Sequence, residues 1–119
     1  MSSREWFFRL EDILDALERI QQYTDGLNLQ KFESDQRTID AVVRNLEIIG
    51  EAARHIPEPL VQEYPLIPWK YMRDMRNLLI HEYFGIHTGI IWETITNDLP
   101  PLQSQLESIK KDKLTLLTI

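Results

Sequence analysis

The sequence predicts an all-α bundle of four or five helices joined by mostly short connections, and three observations carry that prediction. Apolar residues recur at spacings of three and four along most of the 119 residues, the period of helices that each bury one stripe. No segment alternates apolar and polar residues two by two, and none gathers β-branched residues as strands do. The helix-breaking residues are concentrated, with Pro57, Pro59, Pro65 and Pro68 in one short stretch, rather than spread through the periodic segments. With 43% apolar and 27% charged residues, the composition is that of an ordinary folded domain, and the length fits a single one spanning residues 1–119.

The first helix is expected from Arg4 to Thr24, where Trp6, Phe7, Leu10, Ile13, Leu14, Leu17 and Ile20 form a stripe. Asp25-Gly26 reads as its stop signal, and residues 27–33 read as a connector. Ser34 or Asp35 can cap a second helix, whose stripe is Ile39, Val42, Val43, Leu46, Ile49, Gly50, Ala53 and Ile56. Asp40, Arg44, Glu47, Glu51 and Arg54 cluster on its charged face, most simply a solvated one. Ile48 and Ala52 lie off the main stripe beside Gly50, which suggests either a second contact surface or a wide core-facing stripe. Residues 57–68 form a proline-rich connector with at most a turn of helix at Leu60–Tyr64. Pro68 then suits the first turn of a third helix, Trp69 to about Tyr83. Gly85 and Gly89 bracket a loop in which His87 or Thr88 caps the last helix. There Trp92, Ile95, Leu99, Leu102, Leu106 and Ile109 keep the helical period across Pro100-Pro101, so a kinked helix, or two nearly coaxial ones, is expected. The tail from Asp112 to Ile119 has no assignment from periodicity.

Composition also removes function classes. The formal charge of −6 argues against a broad basic surface that grips nucleic acid through many phosphates, although a small site touching one or two remains compatible. The absence of cysteine removes disulfides, cysteine-ligated zinc and cysteine nucleophiles. No apolar run approaches the roughly 20 residues of a membrane span. The start Met1-Ser2-Ser3-Arg4-Glu5 runs directly into an amphipathic pattern, so a cytoplasmic protein with no membrane partner is expected. There is no Gly-rich phosphate loop, no His-Glu-x-x-His zinc motif and no nucleophile elbow, so no metal and no cofactor is expected.

The third helix is where chemistry remains. It holds Lys70, Arg73 and Arg76 against Asp74 and Glu82, a local concentration of positive charge in an acidic chain. At about 100° per residue, Tyr71, Met72, Met75, Leu78 and Leu79 occupy one apolar arc, while Arg73, Asn77 and His81 fall nearly in line on the other side. Arg76 and His81 differ by about 140°, so they line two edges of a cleft rather than touch. The bland reading of each is available: a histidine favoured by a helix C-terminus, and an arginine paired with a carboxylate. His55 and His87 read as helix-end or cap residues, and Trp69 reads as an anchor for the third helix.

The stretch Arg76-Asn77-Leu78-Leu79-Ile80-His81-Glu82-Tyr83 reads R-x-x-x-x-H-x-Y, with a polar residue directly after the arginine. It resembles the signature of HEPN domains, and specifically of the HepT-like toxins. Arg44 to Ala52 is similar to that family's second-helix motif, and Ile67-Pro68-Trp69, His81-Glu82-Tyr83-Phe84, Ile91-Trp92 and Leu99-Pro100 fit in order, so the resemblance covers most of the chain. It implies a HEPN-type bundle that forms a homodimer, two copies of the motif meeting at one cleft, and a metal-independent endoribonuclease activity on RNA such as tRNA or mRNA. Under it, His81 is the general base or acid at the ribose 2′-hydroxyl and the leaving oxygen, a role open to a group titrating near neutrality. Arg76 holds the scissile phosphate through its fork of donors, and Asn77 orients the histidine or the phosphate. Arg73 and Glu51 are supporting candidates, Glu51 by an ion pair toward the motif arginines. The resemblance further implies a type VII toxin–antitoxin pair, in which an MntA-like minimal nucleotidyltransferase transfers AMP to Tyr83. The alternative is a non-catalytic HEPN binding module that docks to a nucleotidyltransferase and helps present its substrate. The acidic charge favours that alternative, and the intact Arg76, His81 and Tyr83 favour the enzyme.

Overall fold

A computed structural model describes residues 3–75 and 87–118, with side chains for 5–75 and 87–114. Among the described residues every regular element is helical. The third helix expected to run to Tyr83 is described only as far as residue 75, and its remainder, with the loop through Gly85, lies outside the described residues.

Helix α1 spans Ser3–Thr24 and buries the expected stripe, with Leu10, Ile13, Leu17 and Ile20 all but inaccessible to solvent. Its end is set by the Asp25-Gly26 turn, where Leu27 N–H donates to the Thr24 carbonyl at 3.1 Å. Gly26 adopts a φ of 76°, a left-handed conformation that costs a side-chain-bearing residue more than glycine.

Residues 27–33 are not simply a connector. Asn28 accepts a hydrogen bond from Lys31 N–H at 2.8 Å and caps a short helix α2, Leu29–Glu33. Five residues are too few to show a period, which is why the pattern gave no sign of it. The element is held by one anchor: Phe32 is fully buried, its ring 5.2 Å from that of Trp92.

Asp35 caps α3, Gln36–Arg54, as one of the two expected candidates. Its carboxylate accepts from Thr38 N–H at 3.1 Å and from the Thr38 hydroxyl at 2.7 Å. Those two bonds, the hydroxyl first, hold the Asp35 carboxyl below the usual carboxylate range. The α3 stripe packs against α1, and Ala52 joins the buried set while Ile48 is half-buried.

Helix α4, Glu58–Glu63, begins two residues before the turn expected there. Pro57 is its N-cap and Pro59 lies in its first turn, positions where a missing amide hydrogen costs nothing. Residues 69–75 form the described part of α5. Pro68 stands one place before it, its carbonyl accepting from Met72 N–H at 3.1 Å. Trp69, Met72 and Met75 are buried, and the Trp69 indole donates to the Tyr64 carbonyl at 2.9 Å. This is the anchoring role its sequence position suggested.

The C-terminal rod comprises α6 (Thr88–Glu93), a π-helical turn (Thr94–Asp98) and α7 (Leu99–Thr118) in unbroken succession. His87 is the N-cap of α6, although its side chain makes no capping bond. The π turn lies just before Pro100-Pro101, and Leu99 N–H donates back to the Thr94 carbonyl five residues away. Prolines at 100 and 101 cannot donate to the carbonyls of 96 and 97, and widening the preceding turn moves those carbonyls off the rings. The apolar period survives the irregularity: Ile95, Leu99, Leu102, Leu106 and Ile109 are all buried. Helix α7 packs on α1, α6 on α2, and the tail without an assignment is helical through Thr118.

Candidate functional site

Of the sequence-predicted site residues, Arg76, Asn77, His81 and Tyr83 lie outside the described residues. What the structure supplies is the frame from which they leave: residue 75, joined by one peptide bond to Arg76, and the contacts that fix the stretch before it.

That frame is held from three sides. Trp69 ties its start to the chain after α4 through the Tyr64 carbonyl. Arg73 reaches the C-terminal end of α3, where its Nε donates to the Ala53 carbonyl at 3.3 Å and an Nη to the Ile56 carbonyl at 3.4 Å. The same guanidinium lies 3.9 Å from a Glu58 carboxylate oxygen. Helix C-terminal carbonyls lack intrahelical donors and carry partial negative charge, so a half-buried guanidinium is well matched to them. Arg73 therefore locks α5 to α3 and α4. On a third side, the Tyr71 hydroxyl donates to Asp98 Oδ2 at 2.7 Å and lies 3.4 Å from Thr94 Oγ1. Burial first, with the Asp98 carboxylate adding to it, pushes the Tyr71 phenol above its ordinary pKa. Sequence reasoning placed Tyr71 on the apolar arc and gave Asp98 no role. Two residues 27 positions apart leave no periodic signal, and only the fold joins them.

Glu51, the other supporting candidate, is exposed, with Oε1 at 3.3 Å from His55 Nε2. It borders a groove of about 310 Å³ between α1 and α3, lined also by Arg9, Asp12, Arg44, Glu47 and Ile48. Arg44 and Glu47 are 3.8 Å apart there. The charged face of α3 is thus largely solvated, as its spacing suggested, and both signs of charge meet across the groove. A second hollow of about 270 Å³ lies where the end of α1 faces the π turn, bordered by Leu17, Ile20, Trp92 and Ile95. Among the described residues, no group of three or more His, Asp or Glu is placed to hold a metal ion, and no helix is long and apolar enough to cross a membrane.

The model of the family described as "Ribonuclease HepT-like" matches residues 13–109. The chain is 42% identical over 102 residues to a protein of Thermococcus cleftensis named "Probable ribonuclease HepT", covering 86% of this chain and 93% of that one. It is 42% identical to "Putative RNase MJ0127" of Methanocaldococcus jannaschii, over 87% of this chain and 85% of the relative. A third relative, "Putative RNase TTE0752" of Caldanaerobacter subterraneus, is 41% identical over 87% of this chain and 94% of its own length. No solved structure gives a significant match.

Proposed function

The chain belongs to the HepT-like ribonuclease family, and from that premise we propose that it is a metal-independent endoribonuclease whose reacting groups are Arg76 and His81. The observation that carries the reading is the intact stretch Arg76-Asn77-Leu78-Leu79-Ile80-His81-Glu82-Tyr83 inside the matched region. In the reaction the ribose 2′-oxygen attacks the adjacent phosphorus and the 5′-oxygen leaves. His81 takes the proton from the attacking hydroxyl or gives one to the leaving oxygen, the proton-transfer role for which imidazole is suited. Arg76 binds the phosphoryl oxygens as charge builds on them, and Asn77 orients the histidine or the phosphate.

The wider reading is a toxin that acts as a homodimer on RNA and is silenced by an MntA-like nucleotidyltransferase antitoxin. Pairing of two chains would resolve the roughly 140° between Arg76 and His81 on an ideal helix, because a two-fold axis gathers edge residues of both copies at one cleft. The groove between α1 and α3, lined by Ile48 together with cations and carboxylates of both helices, supports a self-complementary pairing surface. Silencing would join the Tyr83 phenolic oxygen to the α-phosphorus of ATP with release of pyrophosphate. The result is an anionic, bulky adduct two residues from His81 in the chain, of the charge to compete with the substrate phosphate for Arg76.

The test is incubation of unmodified protein, its intact mass checked for AMP, with total RNA and tRNA in EDTA. The expected result is cleavage by the wild type that is lost in Arg76→Ala and His81→Ala and retained in Tyr83→Phe. Tyr83→Phe should also resist silencing by the nucleotidyltransferase and ATP. Absence of cleavage by unmodified dimer would leave the binding-module alternative, which the net charge of −6 favours.

A further inference from the structure

Tyr71 and Arg73 hold α5 from opposite sides. Two residues apart on a helix, they point about 200° away from each other, Arg73 to the end of α3 and Tyr71 to the π turn. Two clamps so arranged resist rotation of the helix about its axis, which neither does alone. The Tyr71 clamp is the more directional. The Thr94 hydroxyl donates to the Ile90 carbonyl at 3.0 Å, and the single Tyr71 proton goes to the Asp98 carboxylate at 2.7 Å, the nearer and stronger acceptor, rather than to Thr94 Oγ1 at 3.4 Å. Thr94 and Asp98 are the first and last residues of the π turn, the one place where the C-terminal rod leaves α-helical register, and the Tyr71 hydroxyl meets both.

We propose that Tyr71 is a positioning residue for the ribonuclease reaction, its hydroxyl seated on the π turn through Asp98 and fixing the rotation at which α5 hands the chain to Arg76. The inference rests on the reading of Arg76 and His81 as the reacting pair. Tyr71 stands five positions before Arg76 in the chain, on the stretch that leads into the groups proposed to hold the phosphate. Thr94 and Asp98, four apart and therefore on one helix face, both reach the same side chain of α5.

The experiment compares Tyr71→Phe, Asp98→Ala, their double variant and Asp98→Asn with wild type. Tyr64→Phe is the control, since it deletes a similar hydroxyl contact, to Asp112 at 3.4 Å, away from α5. Cleavage kinetics are read as kcat and KM well below the melting temperature, together with the NMR signals of the His81 ring in RNA-free protein. Tyr71→Phe and Asp98→Ala should each lower kcat about tenfold with little change in KM. The double variant should be no worse than either, and Asp98→Asn, which keeps an acceptor, should recover most of the loss. The His81 ring signals should shift in Tyr71→Phe and not in Tyr64→Phe. An unchanged kcat, a loss matched by Tyr64→Phe, or additive losses in the double variant would overturn the proposal. If wild type does not cleave RNA, the functional reading fails on its own, and unmoved His81 signals in Tyr71→Phe would then sink the positioning claim separately. Should Tyr71→Phe fail to fold, Asp98→Ala against Asp98→Asn decides it by the same readouts.

Discussion

At the scale of single residues, Arg73 shows how a side chain named for its charge acquires its work from its surroundings. The sequence places it in line with Asn77 and His81, where it reads as a supporting site cation. In the fold its guanidinium is engaged with two carbonyls at the end of α3 and with Glu58. Removing it takes the guanidinium from the Ile56 carbonyl and Glu58 and leaves the Ala53 carbonyl with backbone donors alone, so Arg73→Ala should lower unfolding free energy by about 1–2 kcal/mol. Arg73→Lys should recover less than half of that, because an ammonium cannot span two acceptors as a planar fork does. Urea denaturation at neutral pH measures both, and equal stability of Arg73→Lys and wild type would contradict the assignment. The contrast with Tyr71 is instructive: its partner Asp98 is invisible in the sequence, whereas its burial was expected.

At the scale of elements, the N-cap of α3 makes a pH-dependent contribution whose sign follows from the lowered Asp35 pKa. A carboxyl that is more acidic in the folded state adds stability that is fully present above its unfolded pKa of about 3.9. That stability is lost as the pH falls through the lower value of the native state. Asp35→Ala should therefore melt below wild type at pH 7, with the gap narrowing steadily in acid. Asp35→Asn, which can still accept from Thr38 N–H, should lie between them and show less pH dependence. Melting curves from pH 7 down to pH 3 check this, and a gap that widened in acid would refute it. Elements also mark where sequence reading stopped. The stripes of α1, α3 and α7 are long enough to show their period, whereas α2 depends on one buried phenylalanine and α4 on two prolines whose effect at a helix start reverses their effect inside one.

At the scale of the whole molecule, stability rests on α1 packed against both α3 and α7, with Leu10, Ile13, Ile49, Leu106 and Ile109 fully buried. Leu106→Ala should cost about 2–5 kcal/mol through lost burial and the cavity left behind, a large share of the margin of a domain this size. Chemical denaturation reads the loss, and a cost near zero would mean the core collapses around the deletion. Farther out, Lys113 reaches Glu63 at 2.6 Å and Tyr64 meets Asp112, tying the end of α7 to α4 and its C-cap across some fifty residues of chain. By itself the sequence determined the helical class, the buried stripes, the paired cap candidates Ser34 or Asp35 and His87 or Thr88, and the R-x-x-x-x-H-x-Y signature, because each is written in residues a turn or two apart. Only the tertiary structure decided that Phe32 meets Trp92, that Arg73 closes α3 and that Tyr71 sits on the π turn. Such contacts join segments distant along the chain, and their geometry is set by how whole helices pack rather than by any local period.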